Sequence, residues 1–317
     1  MVPAAGADVG VLALSRRADS GRQRPTKEAT MPEVHTFVDD GGVTIHYYVW
    51  RAARPIGVVQ LAHGVGEHAR RYEHVAAALT EAGYTVYADD HRGHGQTGLE
   101  QWGGDHAKLG RLGVGGLRAT IAAVRRFTEI IREAEPTHPL VFIGHSWGSL
   151  MGQVIFDRHP DDFDAVVLTG TAYRMPGSMN SGDLNARHKH LGTTGAEWLS
   201  RDSAVAAAFA ADPLTTNVPL MKLFGVRDAL RLVGRPPRSL PSAVPVLIMV
   251  GSDDPLGGER SANRLAAAYR RAGVSDVRVI IYEEARHEVF NELNRDEVLS
   301  DLVVWLDEKV PVERRTE

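Results

Sequence analysis

Four short runs of apolar, β-favouring residues recur along the sequence: GVVQLA ending at Ala62, PLVFIG ending at Gly144, DAVVLTG ending at Gly170 and VPVLIMVG ending at Gly251. They are unbroken rather than alternating, as expected of strands covered on both faces, which is the situation inside a mostly parallel sheet. Helical patterns fall between them. Leu117, Ile121, Val124, Phe127 and Ile131 recur at spacings of three and four, and Leu299, Leu302, Val303 and Leu306 form a second such stripe. Ahead of these come VHTFV and VTIHYYVW, separated by DDGG, which predicts a hairpin with an Asp-Gly turn and a sheet that is mixed at one edge. The expectation is an α/β protein with a mostly parallel central sheet and helices on both faces.

The chain has 317 residues, of which 43% are hydrophobic and 24% charged, enough for one large domain carrying an insertion. No buried-strand run occurs from residue 172 to residue 242, a stretch too long for a plain connection, so an inserted cap is expected there. The core would then comprise residues 31–171 and 243–317. Residues 1–30 are rich in Ala, Gly and Arg and predict a disordered tail, with Met31 a candidate start. A net charge of -4 gives no reason to expect a nucleic-acid partner. With no cysteine in the chain, thiol nucleophiles, zinc-thiolate sites and disulfides are excluded. No apolar run approaches the ~18 residues of a membrane span, so no transmembrane segment is expected and the cytoplasm is the default location. Transient contact with a membrane surface stays open, and the oligomeric state is not legible.

Chemistry enters at GHSWG, where Ser146 stands between Gly144 and Gly148 behind a strand run. A serine on a sharp strand-to-helix turn projects its hydroxyl above the sheet, and side chains two positions away on either side would collide there. Serine needs a base, and the base needs a carboxylate to steady its charge. Ligands bind beyond the carboxyl ends of parallel strands, and two late strands end usefully. One leads into His287, the other into Asp253 and Asp254, giving the chain order Ser, Asp, His. Asp254, before Pro255 and farther into its loop, is preferred, while Asp253 stays open. The oxyanion would be met by the backbone N–H of Trp147 and, from the Gly-rich loop LAHGVGEH, that of Val65.

Other groups invite competing readings. His63, His68, His91, His94, His145 and Asp90 are expected in loops near the rim, but their spacing fits no familiar metal pattern. Loop hydrogen bonding is expected instead, with no metal and no cofactor. Arg174, Arg201, Arg227, Arg231, Arg235 and Arg238 suit an anionic head group or, as preferred, a solvated basic face. LSRDSAVAAAFAADPL reads as a helix, with Trp198 and Phe209 either facing a pocket or holding the cap together.

Taken together, HGVGEHARRY, DDHRGHGQT, GHSWGS, GSDDPLGG and ARHEVFNE make the chain resemble the monoacylglycerol lipase and lysophospholipase group of α/β-hydrolases, the serine aminopeptidase S33-type group. The resemblance runs from Val34 to Leu306 and is weakest across the cap. It implies Ser146 as nucleophile, Asp254 as acid, His287 as base, and Val65 and Trp147 as oxyanion donors. Trp147 departs from the methionine of the animal lipases, which implies a narrower acyl end, and the cap has no long apolar helix for membrane docking. The expected activity is cleavage of carboxylic esters through an acyl-enzyme, on a monoacylglycerol, a lysophospholipid or another small ester. The rivals are a peptidase, amidase or perhydrolase using the same residues, and a hydrolase-like protein that binds a small ligand with little turnover.

Overall fold

Eight strands form one sheet in the order β1-β2-β4-β3-β5-β6-β7-β8. They are β1 Glu33–Val38, β2 Thr44–Trp50, β3 Gly57–Ala62, β4 Tyr84–Asp89, β5 Leu140–His145, β6 Ala165–Thr169, β7 Val246–Gly251 and β8 Val277–Tyr282. The structure, a computed structural model, describes residues 31–240 and 243–310; the expected tail at 1–30 lies outside them. β1 and β2 are the predicted hairpin, β2 pairs antiparallel with β4, and every other pairing is parallel.

The helices are α1 Glu73–Glu81, α2 Gly95–Gln101, α3 Gly116–Ala134, α4 Trp147–Arg158, α5 Ser203–Ala211, α6 Leu220–Arg231, α7 Gly258–Arg271 and α8 Arg295–Lys309. Alternate residues of the central strands supply two separate cores. Val58, Phe142, Val166 and Ile248 meet α3, α4 and α7 on one face, whereas Val59, Val141, Val167 and Leu247 meet α1 and α8 on the other. Burial on both faces is why these strands read as continuous apolar text, each fully buried side chain contributing about 1.5–3 kcal/mol.

Two sequence expectations need correction. β4, with sequence YTVYAD, was not among the expected strands although all six residues are buried. Its hydroxyls interrupt the apolar run, yet two of the three find partners: Thr85 Oγ1 accepts from the Ala52 N–H at 3.3 Å and Tyr87 Oη donates to Glu135 at 2.9 Å, while the buried Tyr84 hydroxyl has none among the described residues. The buried face of α8 is Val298, Leu302, Trp305 and Leu306, with Leu299 and Val303 only partly covered.

Between β6 and β7 the described residues contain α5 and α6 and no strand. The predicted Ser/Asp-capped helix is α5, with the Asp202 side chain accepting from the Ala204 N–H at 2.9 Å. This stretch has its own small apolar cluster of Ala196, Leu199, Ala206 and Phe209. Because β3, β5, β6, β7 and β8 all run parallel, the loops that follow them emerge at one edge of the sheet. That edge carries His63 to Glu67, Ser146, Asp254 and His287.

Candidate active site

Ser146 joins β5 to α4 with φ 51° and ψ −120°. Among the described residues only Ser146 and Glu284 are non-glycines at positive φ. Such a backbone state costs on the order of 1–3 kcal/mol and persists only where the surroundings enforce it. They do so here. The Ser146 N–H donates to Thr169 O at 2.9 Å, and Ser149 Oγ donates to Ser146 O at 2.5 Å. A β-carbon at Gly144 would sit 2.7 Å from the Ser149 Cα, and one at Gly148 would sit 2.3 Å from Ala62 O and 2.5 Å from His63 O. Gly148→Ala should therefore lower stability by more than ~2 kcal/mol, because backbone rather than a movable side chain is struck. Thermal unfolding checks this, and an unchanged midpoint would contradict the packing just described.

His287 follows β8 and is 1% exposed. Its Nδ1 is 2.9 Å from Asp254 Oδ1, which also accepts the Leu256 N–H at 2.9 Å. Asp253, the other aspartate, turns away: it pairs with His188 Nε2 at 2.7 Å and with Arg187 at 3.1 Å. Burial alone would pull the His287 imidazole down, but the charge and hydrogen bond of Asp254, helped by Glu288 and Glu67, leave it above the ordinary 6.5. Among the described residues His287 Nε2 has no hydrogen-bond partner, Ser146 Oγ included. With Nδ1–H given to Asp254, Nε2 keeps a free lone pair. Rings on either side fix the imidazole: His145, next to Ser146, lies 4.8 Å away, and Trp198 lies 4.7 Å away.

The loop after β3 borders the serine, since a β-carbon on Gly64 would be 3.1 Å from Ser146 Cβ. Trp147 is the first residue of α4, so its N–H has no carbonyl one turn back to accept it. Its indole is 1% exposed, wedged between His94 at 5.0 Å and Phe224 of α6 at 4.9 Å.

The histidines expected at the rim are buried instead. His63 and His91 stack at 4.0 Å, His91 Nδ1 meets Asp89 at 2.8 Å, and His94 Nδ1 meets Arg92 O at 2.9 Å. Burial drives His94 down to about 3, and drives His63 well below the usual range with the added push of His91 and His94. Imidazoles tied to backbone and carboxylate match the expected loop hydrogen bonding.

Two of the six arginines do not belong to a solvated face. Arg174 is buried, donating to Asp157 at 2.6 Å and Leu232 O at 2.8 Å. Arg201 holds Glu292 at 2.9 Å and Asn294 at 3.0 Å. Arg227, Arg231, Arg235 and Arg238 are exposed as expected. Phe209 lies in the small cluster beneath Arg71, whose guanidinium is 4.9 Å from the ring centre.

Sequence reasoning passed over a buried ionic network beside the serine. Arg71 donates to Glu67 at 2.5 Å and to both oxygens of Glu288 at 2.7 and 2.9 Å. Burial would raise Glu288, yet the Arg71 charge and its paired hydrogen bonds hold it down at about 2, while burial lifts Glu67 upward. Glu67, His145 and Glu288 offer ligand atoms within 4.8 Å of one another, but the Arg71 guanidinium already supplies both carboxylates with their positive charge. The available signal was only the adjacency of charged residues to the two loops, in GEHARRY and RHEVF.

A parallel sheet that gathers a serine on a forced strand-to-helix turn and a buried histidine–carboxylate pair at its carboxyl edge defines an α/β-hydrolase. The family described as "Serine aminopeptidase, S33" matches residues 53–294, and the chain belongs to that family. The monoacylglycerol lipase of Mycolicibacterium smegmatis is 35% identical over 86% of this chain and 96% of its own length. The monoglyceride lipase of Mus musculus is 26% identical over 92% of this chain and 96% of its own. Among solved structures, a thermostable carboxyl esterase from Bacillus coagulans superposes with a TM-score of 0.73 at 23% identity, covering 89% of this chain and all (100%) of that one. A soluble variant of the Saccharomyces cerevisiae monoglyceride lipase gives 0.72 at 21% identity over 92% of this chain and 100% of that one.

Proposed function

We propose that this protein is a serine hydrolase that cleaves carboxylic esters through an acyl-enzyme, with monoacylglycerols as its substrate class. The single observation that carries the chemistry is the buried His287–Asp254 pair, with a free Nε2, at the edge where Ser146 is held in a forced turn. His287 Nε2 takes the Ser146 proton as Oγ attacks the ester carbonyl. The tetrahedral oxyanion is met by the Val65 and Trp147 N–H groups. Collapse expels the alcohol, which leaves with the proton from His287, and water then repeats the sequence to release the acid. Asp254 holds the Nδ1–H tautomer and steadies the imidazolium. The monoacylglycerol assignment is supported by the names of the relatives with which the chain aligns along nearly their whole length.

The 172–242 segment acts as a cap over this site. It is pinned to the loop after β3 by the Thr216 N–H donating to Gly66 O at 2.8 Å and by His68 against Asp212 at 2.9 Å, and to the loop after β7 through His188 and Asp253. Its α6 carries exposed Met221, Val226 and Leu230, apolar side chains suited to transient contact with a lipid surface. No helix among the described residues is long and apolar enough to cross a membrane. The deciding experiment measures release from a monoacylglycerol, lysophosphatidylcholine, a short p-nitrophenyl ester and a p-nitroanilide amide. Preferential cleavage of the monoacylglycerol supports the assignment, and amide cleavage with inert esters would overturn it.

Two outcomes are expected of His287. His287→Gln should cut turnover by about 10³-fold or more with the fold intact, and near-normal rates would mean another base. Since the reaction needs the neutral imidazole, kcat/KM should climb as pH rises through a midpoint above 6.5. The stability gained from the charged His287–Asp254 pair has the opposite sense: it is complete below the unfolded value and is lost as pH passes the raised folded one. Rate and thermal midpoint recorded against pH should therefore move in opposite directions across that window.

A further inference from the structure

Gly64, beside Ser146, is held through both of the peptide groups it joins, the Gly64–Val65 peptide at its carbonyl and the His63–Gly64 peptide at its N–H. The Gly64 carbonyl is 2.7 Å from His63 Nδ1, and the Gly64 N–H donates to Glu67 Oε1 at 2.6 Å. The proton of His63 is on Nδ1, because Nε2 accepts the His91 backbone N–H at 3.0 Å. His63 therefore donates to the Gly64 carbonyl. Burial and the neighbouring His91 and His94 keep that imidazole neutral.

Glu67 is fixed in its turn. All of its contacts are donated to it, by the Gly64 N–H, by Tyr72 Oη at 2.7 Å and by Arg71 at 2.5 Å. Arg71 continues to Glu288, the residue that follows His287.

The consequence comes from peptide geometry. A trans peptide is planar, and its carbonyl points opposite to the N–H of the next residue. There is no cis peptide among the described residues, so the bond that fixes Gly64 O also fixes the direction of the Val65 N–H. Among the described residues that N–H has no protein acceptor. Gly64 itself lies against Ser146, so the peptide borders the place where the ester carbonyl must sit.

We propose that His63 and Glu67 are positioning residues that aim the Val65 N–H at the oxyanion, and that Arg71 and Glu288 tie this clamp to the loop of the base. Neither side chain touches substrate. The assignment rests on the ester-hydrolase reading above and adds to it the groups that hold the oxyanion donor in place.

Asparagine and glutamine separate the role from simple packing at His63. The amide nitrogen of asparagine falls near the position of Nδ1, whereas that of glutamine reaches towards Nε2. His63→Asn should keep kcat within about fivefold. His63→Gln and Glu67→Ala should each lose about 10²-fold in kcat with KM little changed, the scale of one lost oxyanion donor. Affinity for an alkyl trifluoromethyl ketone, whose serine adduct places an oxyanion at the same point, should fall in parallel with kcat/KM. Rates are taken per active site titrated with a fluorophosphonate, so that misfolded protein does not count. The proposal is overturned if His63→Gln and Glu67→Ala keep wild-type kcat and ketone affinity per titrated site, or if His63→Asn falls as far as His63→Gln. Failure of the wild type to label or to cleave any ester would instead remove the hydrolase reading itself.

Discussion

Ser146→Ala is expected to abolish turnover, by about 10⁴-fold or more, and to remove all labelling by a fluorophosphonate probe. The residue stands alone on the turn, and no neighbouring hydroxyl can replace it: Ser149 Oγ is committed to Ser146 O and lies at 2.8 Å from Thr171 Oγ1. Alanine retains the β-carbon and hence the same backbone strain, so the thermal midpoint should hold steady while activity vanishes. Ser146→Gly should be equally inactive but more stable by about 1 kcal/mol, roughly 2 °C, because glycine adopts φ 51° freely. Residual labelling of either variant would put the nucleophile elsewhere, and a lower midpoint for the glycine variant would refute the claim of stored strain.

The second large effect separates two adjacent carboxylates. Asp254→Asn should reduce kcat by about 10⁴-fold, since an amide facing Nδ1 favours the tautomer with its proton on Nε2 and so removes the base's lone pair. Asp253→Asn should leave kcat within a fewfold of wild type. Its near partners are His188 and Arg187 in the 172–242 segment, with Arg286 only at 4.0 Å, and its side chain is 37% exposed, so a small loss of stability is the most it should show. Steady-state kinetics on the two variants decide the matter, and the reverse ranking would transfer the acid's role to Asp253.

Much of this was legible in the one-dimensional text because it is local. The strand runs ending at Ala62, Gly144, Gly170 and Gly251 reflect burial on both faces, and Gly144 reflects a collision with Ser149 only five residues on, although Gly148 answers to the distant Ala62 and His63. β4 escaped because hydroxyls that bond inside the protein look polar on paper. Arg174 and Arg201 escaped because their carboxylate and amide partners, Asp157, Glu292 and Asn294, are distant in sequence or on another element. The Glu67–Arg71–Glu288 network is the extreme case, since Arg71 and Glu288 are 217 positions apart. Spacing likewise could not orient Asp253 and Asp254, whereas the fold turns one towards His287 and the other away.

The short loop from His63 to His68 faces two ways, and that imposes a dependence on the enzyme. At one end its peptide borders Ser146; at the other, Gly66 and His68 are fastened to Thr216 and Asp212. On the mechanism proposed above, a swing of residues 212–216 to admit a substrate would tug on the backbone proposed to receive the negative charge. Entry and reactivity would then share one mechanical element, and a change made at residues 212–216 should register in the chemical step as well as in access.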